Sequence, residues 1–375
     1  MSRSRFALAV VASLSAGALL SPPPVLSAEN RAFRMGFTPF VFDMTLEAVA
    51  ETDKFIGENG DIVAQHMESV PWSEALSGAP LHPEFMKDWE RRKKMARPGM
   101  AVYVAVSPLD MGRAKIAAYR GEKEGMPLPP QFEGKELDDD LVKRAYLAYC
   151  RRAVEYFKPE FLGIGIEVNE LFHNSPGKWP SYVALHKYVY EALKKDHPAL
   201  MVFSSFTLHN MVNPGWKDRA EMLEAYKGLM PYNDLVALSF YPFMCGISNP
   251  SKLDEPLAWL TANFDSLGKP YAVAETGEAT ENITLKTGAA EVTIYGSLEL
   301  QKAYYEKLLE LAQEKKFKFV VSFLHRDYDA LWEKIKSASP SFFIAWRDCG
   351  LLDENGQKRP AYEVWRRFLA MPLAR

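Results

Sequence analysis

Two stretches of the chain end an apolar run on a carboxylate. One reads Leu162-Gly163-Ile164-Gly165-Ile166-Glu167-Val168-Asn169-Glu170, the other Tyr271-Ala272-Val273-Ala274-Glu275-Thr276-Gly277. Strand alternation along the first sets Leu162, Ile164, Ile166 and Val168 on one face and Gly163, Gly165, Glu167 and Asn169 on the other. Glu170 then falls where strand gives way to loop, and Glu275 falls at the corresponding end of the second run. A pair of carboxyls so placed can divide one reaction between them. One gives a proton to a leaving oxygen while the other attacks the carbon that oxygen leaves. Two further glutamates compete for these roles. Glu167 faces inward on this reading, where it needs a partner or a proton, and Glu278 lies further out along its loop. Either glutamate taken alone reads equally well as a salt-bridged or solvated side chain.

The elements that would position such a pair alternate along the whole chain. Strands are expected at residues 34–42, 61–67, 100–106, 161–168, 201–206, 234–240, 271–274 and 317–323. Helices are expected at 45–58, 139–157, 182–195, 217–229, 256–266, 298–315 and 361–369. Such alternation implies parallel strands joined by crossover helices. Eight units predict closure into a single (β/α)8 TIM barrel over residues 29–375, an α/β fold whose reacting groups stand at the C-terminal strand ends. A doubly wound sheet would carry a Gly-rich turn after its first strand; here that strand ends Phe40-Val41-Phe42-Asp43. Long loops are expected after the second, third, sixth and eighth strands, and a surface loop around Asn282, Thr284 and Gly288. The βα loops carry Trp72, Trp179, Trp216, Tyr241, Phe243, Tyr328, Trp332 and Trp346. About half of these are expected to be core, the rest flat faces for a ligand.

With Asn169-Glu170 after strand four and Glu275 after strand seven, the chain resembles the clan A retaining glycoside hydrolases over nearly all of residues 29–375. The resemblance implies cleavage of β-linked glycans by double displacement. Glu170 would be the acid/base, Glu275 the nucleophile, and Asn169 the contact to the sugar 2-hydroxyl. Ser239-Phe240-Tyr241-Pro242-Phe243 and Glu275-Thr276-Gly277 are similar to segments of the family 53 endo-β-1,4-galactanases, which makes Tyr241 the expected hydrogen-bond partner of the nucleophile. The tail from Gly350-Leu351-Leu352-Asp353 to Pro360-Ala361-Tyr362 is similar to the closing segment of many barrel glycosidases. Family 53 departs elsewhere: its early-strand arginine and its Asp-Phe-His segment have no counterpart in Ala64-Gln65-His66-Met67 or Val106-Ser107-Pro108-Leu109-Asp110. A glycan-binding barrel that cleaves nothing is the alternative reading, and loss of either carboxylate would have favoured it.

The four histidines at or beyond strand ends, His66, His173, His209 and His325, raise a metal-dependent barrel hydrolase. That class carries a His-x-His pair on its first strand, and the first strand here has no histidine, so neither a metal nor another cofactor is expected. His66, His209, His325 and Trp346 are instead candidates to bind the sugar. The formal net charge of −3 over 375 residues, with no basic patch interleaved by aromatics, argues against a nucleic-acid partner and leaves an oligo- or polysaccharide substrate. Cys150, Cys245 and Cys349, odd in number and widely spaced, exclude a disulfide framework and leave one long-range pair open. At the N-terminus Arg3 and Arg5 precede an apolar run from Phe6 to Leu20 and a Val25-Leu26-Ser27-Ala28 segment. This predicts a signal peptide at 1–28, a secreted or periplasmic protein, and no stable membrane association after cleavage.

Overall fold

The computed structural model describes residues 30–287 and 290–374. The expected signal peptide lies outside the described residues. Nine parallel strand segments form one sheet: β1 Arg34–Phe37, β2 Ile62–Met67, β3 Ala101–Val106, β4 Phe161–Gly163, β5 Met201–Phe203, β6 Ser205–Thr207, β7 Val236–Phe240 and β8 Tyr271–Thr276, then, after a β-hairpin of β9 Ile283–Thr287 and β10 Ala290–Ile294, β11 Phe319–Ser322. The order is β5-β4-β3-β2-β1-β11-β8-β7-β6. Its two ends, β5 and β6, flank a single residue, Ser204. They are one bent strand that pairs with β4 through its first half and with β7 through its second. The ring therefore closes on eight strands, as expected. The bend keeps its polar groups satisfied: Ser204 donates its N–H to Asn233 Oδ1 at 2.5 Å and accepts from the Tyr226 hydroxyl at 2.8 Å.

Strand alternation sorts the apolar residues into two layers. Ile62, Ala64, Ala101, Tyr103, Ala105, Phe161, Phe203, Ala237, Ala272, Ala274, Phe319 and Val321 fill the barrel. Small residues on β2, β7 and β8 leave room for the large rings, and Tyr103 packs 5.6 Å from Phe203 and 4.9 Å from Phe319. Val63, Val104, Leu162, Val202, Leu238, Val273 and Val320 face outward into the larger core under the helices. Those helices are α1 Leu46–Asn59, α2 Trp72–Ser77, α3 Pro83–Met95, α4 Asp140–Phe157, α5 Asn169–Asn174, α6 Trp179–Asp196, α7 Leu208–Val212, α8 Arg219–Leu229, α9 Asp254–Phe264, α10 Leu298–Glu314, α11 Asp329–Ile335 and α12 Pro360–Leu369. Thr45, Asp139 and Ser297 cap α1, α4 and α10, each accepting a first-turn N–H on its side chain.

The fold departs from the expected elements in several places, and β1 ends at Phe37 instead of residue 42. β4 stops at Gly163 instead of residue 168, and Asn169-Glu170 open the short helix α5. The stretch after β2, expected as a long loop, holds α2 and α3; Pro83 starts α3 where its missing N–H is harmless. The expected surface loop is the β9–β10 hairpin. Six of the eight loop aromatics are buried, Trp216 and Trp346 being the partly exposed ones. All three cysteines are free thiols. Among the described residues no helix is long and apolar enough to cross a membrane.

Candidate active site

Glu275 reaches the barrel mouth through an irregularity. Ala272 and Ala274 face into the barrel and Val273 faces out, so strict alternation would turn Glu275 outward to the helices. The register with β7 steps from Leu238–Val273 to Ser239–Glu275, one residue more on β8 than on its neighbour. This bulge, at Ala274, re-aims the next side chain inward, as bulges beside functional sites do. Both carboxylate oxygens are then engaged. Tyr241, just past β7, donates its hydroxyl to Oε1. His66, an inward residue of β2, sets Nδ1 3.2 Å from Oε2. Three strands thus fix one carboxylate; His66, a candidate to bind the sugar, is set against Glu275 itself.

A second irregularity shapes the segment after β4. Ile164 and Val168 pack outward as expected, but Ile166 lies in the barrel interior with Tyr103 and Phe319. Alternation breaks between Ile164 and Ile166 although pairing goes on, Ile164 donating to Phe203 O at 2.7 Å and Val168 to Ser205 O at 3.0 Å. Glu167 follows with φ 52° and donates its N–H to Ser205 Oγ at 3.0 Å. A left-handed backbone on a residue other than glycine is costly by about 1 kcal/mol or more and persists only where its surroundings dictate it. The Glu167 side chain is not sealed inside the barrel, as its expected direction implied; it keeps 19% exposure and comes within 3.5 Å of Arg113 Nη2. Arg113 in turn donates Nη1 to Glu68 at 2.8 Å. Burial works to raise the Glu68 carboxyl, yet the charge and hydrogen bonds of Arg113 hold it below its usual range. At Glu167 the balance goes the other way. Burial and the neighbouring charge of Glu170 outweigh Arg113, Glu275 and Glu68 add to the push, and its pKa rises to about 8.

Asn169 and Glu170 turn elsewhere. Asn169 is fully buried, donates Nδ2 to Thr207 O at 3.1 Å and accepts the Thr207 N–H at 2.8 Å. It bridges strand and helix, and its amide has no face left for a sugar. Glu170 accepts from Asn210 Nδ2 of α7 at 3.2 Å. Burial raises its pKa, opposed by Arg113 and by Asn210. Glu278, the expected rival of Glu275, is wholly buried and pushed well above the carboxylate range by that burial.

The remaining candidates divide. His209 is buried beside Tyr241, ring centroids 6.1 Å apart, and burial lowers its pKa to about 3, so it is neutral. Trp346 packs perpendicular to Tyr241, ring centroids 5.6 Å apart. His325 packs against Phe55 of α1 at 5.0 Å, is 1% exposed and is likewise lowered to about 3 by burial. His173 is paired with Asp218 and packs tilted against Trp216, ring centroids 4.1 Å apart. Sequence reasoning missed Arg113 and Glu68. Glu68, a carboxylate one residue past a strand end, carried the same signal as Glu275; Arg113 sits in the long insertion after β3, where no periodicity marks it. Among the described residues one acidic group, Asp327, Asp329 and Asp348, has metal-ligand spacing. Arg359 and Arg347 already occupy those carboxylates, at 2.6 and 2.7 Å.

No family model matches the chain, and no curated protein matches it in sequence. Solved structures match its fold. A GH5_18 protein from Bifidobacterium longum subsp. longum, solved with Manβ1-4GlcNAc, superposes with a TM-score of 0.62 at 14% identity over 91% of this chain and 80% of that one. The exo-β-1,4-mannosidase Op5Man5 from an Opitutaceae bacterium gives 0.59 at 13% over 92% and 60%. Xylanase 10B from Thermotoga maritima gives 0.56 at 14% over 91% and 96%. The chain therefore shares the TIM-barrel fold of clan A glycoside hydrolases of families 5 and 10. None of these three is a galactanase, and the likeness to family 53 rests on the short segments around Tyr241 and Glu275 alone.

Proposed function

We propose that the protein is a retaining glycoside hydrolase that cleaves β-linked glycans by double displacement, with Glu275 as the nucleophile. The observation that carries this reading is the bulge in β8, which turns Glu275 into the barrel mouth and hands its two oxygens to Tyr241 and His66. A carboxylate held from both sides is aimed before substrate arrives, which is where enzymes gain most from geometry. The acid comes from the segment after β4, which brings Glu167 and Glu170 to the same mouth. The Glu275 carboxylate attacks the anomeric carbon as the leaving oxygen takes a proton. Water, losing a proton to the same acid/base, then releases the sugar with its original configuration. No cofactor enters this chemistry. The fold neighbours support a β-linked substrate: one was solved with Manβ1-4GlcNAc, one is a β-1,4-mannosidase, and a related xylanase was solved with xylobiose. Export to the periplasm or medium, where such glycans are met, fits the N-terminal segment.

The test is a panel of plant and microbial polysaccharides incubated with wild type and E275A. Hydrolysis by wild type, abolished in E275A with sugar binding retained, supports the reading, and the first-formed anomer read by proton NMR reports retention. Unchanged turnover in E275A overturns it and leaves the glycan-binding alternative.

A further inference from the structure

We propose that Glu167, and not Glu170, is the acid/base carboxyl of this site; the inference rests on the retaining mechanism proposed above. Three observations carry it. The segment after β4 still pairs with the bent strand β5–β6, Ile164 donating to Phe203 O at 2.7 Å and Ser205 to Gly165 O at 3.0 Å, but it turns Ile166 into the barrel interior beside Tyr103, and Glu167 follows with left-handed backbone. Two side chains lock this path: Ser205 Oγ holds the Glu167 amide at 3.0 Å and Arg113 reaches its carboxylate. Second, contacts link the two carboxyls around one mouth: Arg113 joins Glu167 to Glu68, which lies two residues past His66, and His66 bonds Glu275 and packs 5.7 Å from Tyr103, the ring beside Ile166 in the barrel interior. Third, the next carboxyl along is already engaged. Asn169 is anchored on Thr207 and Met222 of the wall, and Glu170, in the first turn of α5, is held by Asn210.

In the first step the Glu167 proton passes to the glycosidic oxygen as the C1–O bond breaks and C1 bonds Glu275. In the second, water bonds C1, its proton returns to Glu167, and the bond to Glu275 breaks. The neighbours of Glu167 suit both halves. Before reaction the charge of Glu275 favours the protonated acid; the ester removes that charge and favours the base.

The experiment compares E167A, E167Q, E170A and E275A on phenyl and 2,4-dinitrophenyl β-mannosides and β-xylobiosides, with sodium azide added. Loss of the acid matters for a poor leaving group and much less for dinitrophenolate. E167A and E167Q are expected to lose at least about 10³-fold in kcat/KM on the phenyl glycoside and less than about 10-fold on the dinitrophenyl one. Azide should restore turnover in E167A and give a β-glycosyl azide. E170A should keep the wild-type ratio between the two leaving groups and form no azide product. The reverse pattern, azide product from E170A and none from E167A, overturns the proposal. E167Q, nearly isosteric with the wild type, guards against collapse of the segment. Wild-type turnover in E275A, or no turnover of any probe by wild type, would instead remove the retaining reading on which the proposal stands.

Discussion

Arg113 and Glu167 meet at 3.5 Å between Nη2 and Oε2, and both hold left-handed backbone, φ 48° and 52°. The other non-glycine residues of this kind among the described residues, Lys158 and Lys316, close the C-terminal ends of α4 and α10, where such a conformation is ordinary. At Arg113 and Glu167 no helix end asks for it. Two strained residues from separate loops, facing each other across a charge pair, mark a constellation held in place by its surroundings.

Arg113→Met tests what that pair does. Arg113 steadies the Glu167 carboxyl and also opposes the rise in its pKa, so removing it should lower kcat/KM by about 10²-fold and move the alkaline limb of the pH profile upward. Glu68 would lose its partner while largely buried, and the urea midpoint should fall by the equivalent of about 1.5–3 kcal/mol. A profile unmoved beside a lowered midpoint would reduce Arg113 to a structural residue.

Tyr241→Phe and His66→Ala each free one oxygen of Glu275. Each is expected to lower kcat by about 10- to 100-fold with little change in KM, because both act on aim, not on substrate affinity. Since the two act through one carboxylate, their effects should not add: the double variant should lose less than the product of the single losses. Strict additivity in kcat would show that the two contacts do not share Glu275 as their point of action.

The barrel was legible in the sequence because eight apolar runs alternate with amphipathic ones, and closure needs nothing more. The mouth was legible only in part. Glu275 was found because it ends a run, but the reason it faces inward is a one-residue bulge that leaves no mark on Ala272-Val273-Ala274. Asn169-Glu170 drew the acid/base assignment because they resemble a known pair, and because period-2 alternation was carried past Gly163. In the fold Gly165 packs tightly under the Tyr182 hydroxyl and the chain turns there, so the side chains beyond it change faces. Pairings between distant loops, such as Arg113 with Glu68, follow from the tertiary path and have no periodic signature.

Asn169→Ala separates packing from sugar recognition. Its amide satisfies both backbone groups of buried Thr207, so truncation leaves a buried N–H and a buried carbonyl without partners. Stability should fall by about 2–3 kcal/mol, while KM in the surviving folded protein stays near wild type. A raised KM at unchanged stability would return Asn169 to the role implied by the clan resemblance.

The pH profile follows from Glu167. Its folded pKa of about 8 lies above its ordinary value, and the acid must be protonated to act. Hence kcat/KM should hold below that value and decline as pH rises through about 8. The same shift has an opposite face in stability. Between the ordinary carboxylate range and about pH 8 the folded state holds a proton that the unfolded chain releases. Its contribution is fully present below the unfolded pKa and is lost as pH climbs. Glu167→Gln keeps the shape and removes the titration, so it should melt at a higher temperature than wild type at pH 8–9 and at a similar temperature below pH 4. Thermal unfolding of both proteins across that range checks the sign. An E167Q variant less stable than wild type at pH 9 would mean that the ionised carboxylate is well compensated by Arg113, and the alkaline limb would then have to come from another group.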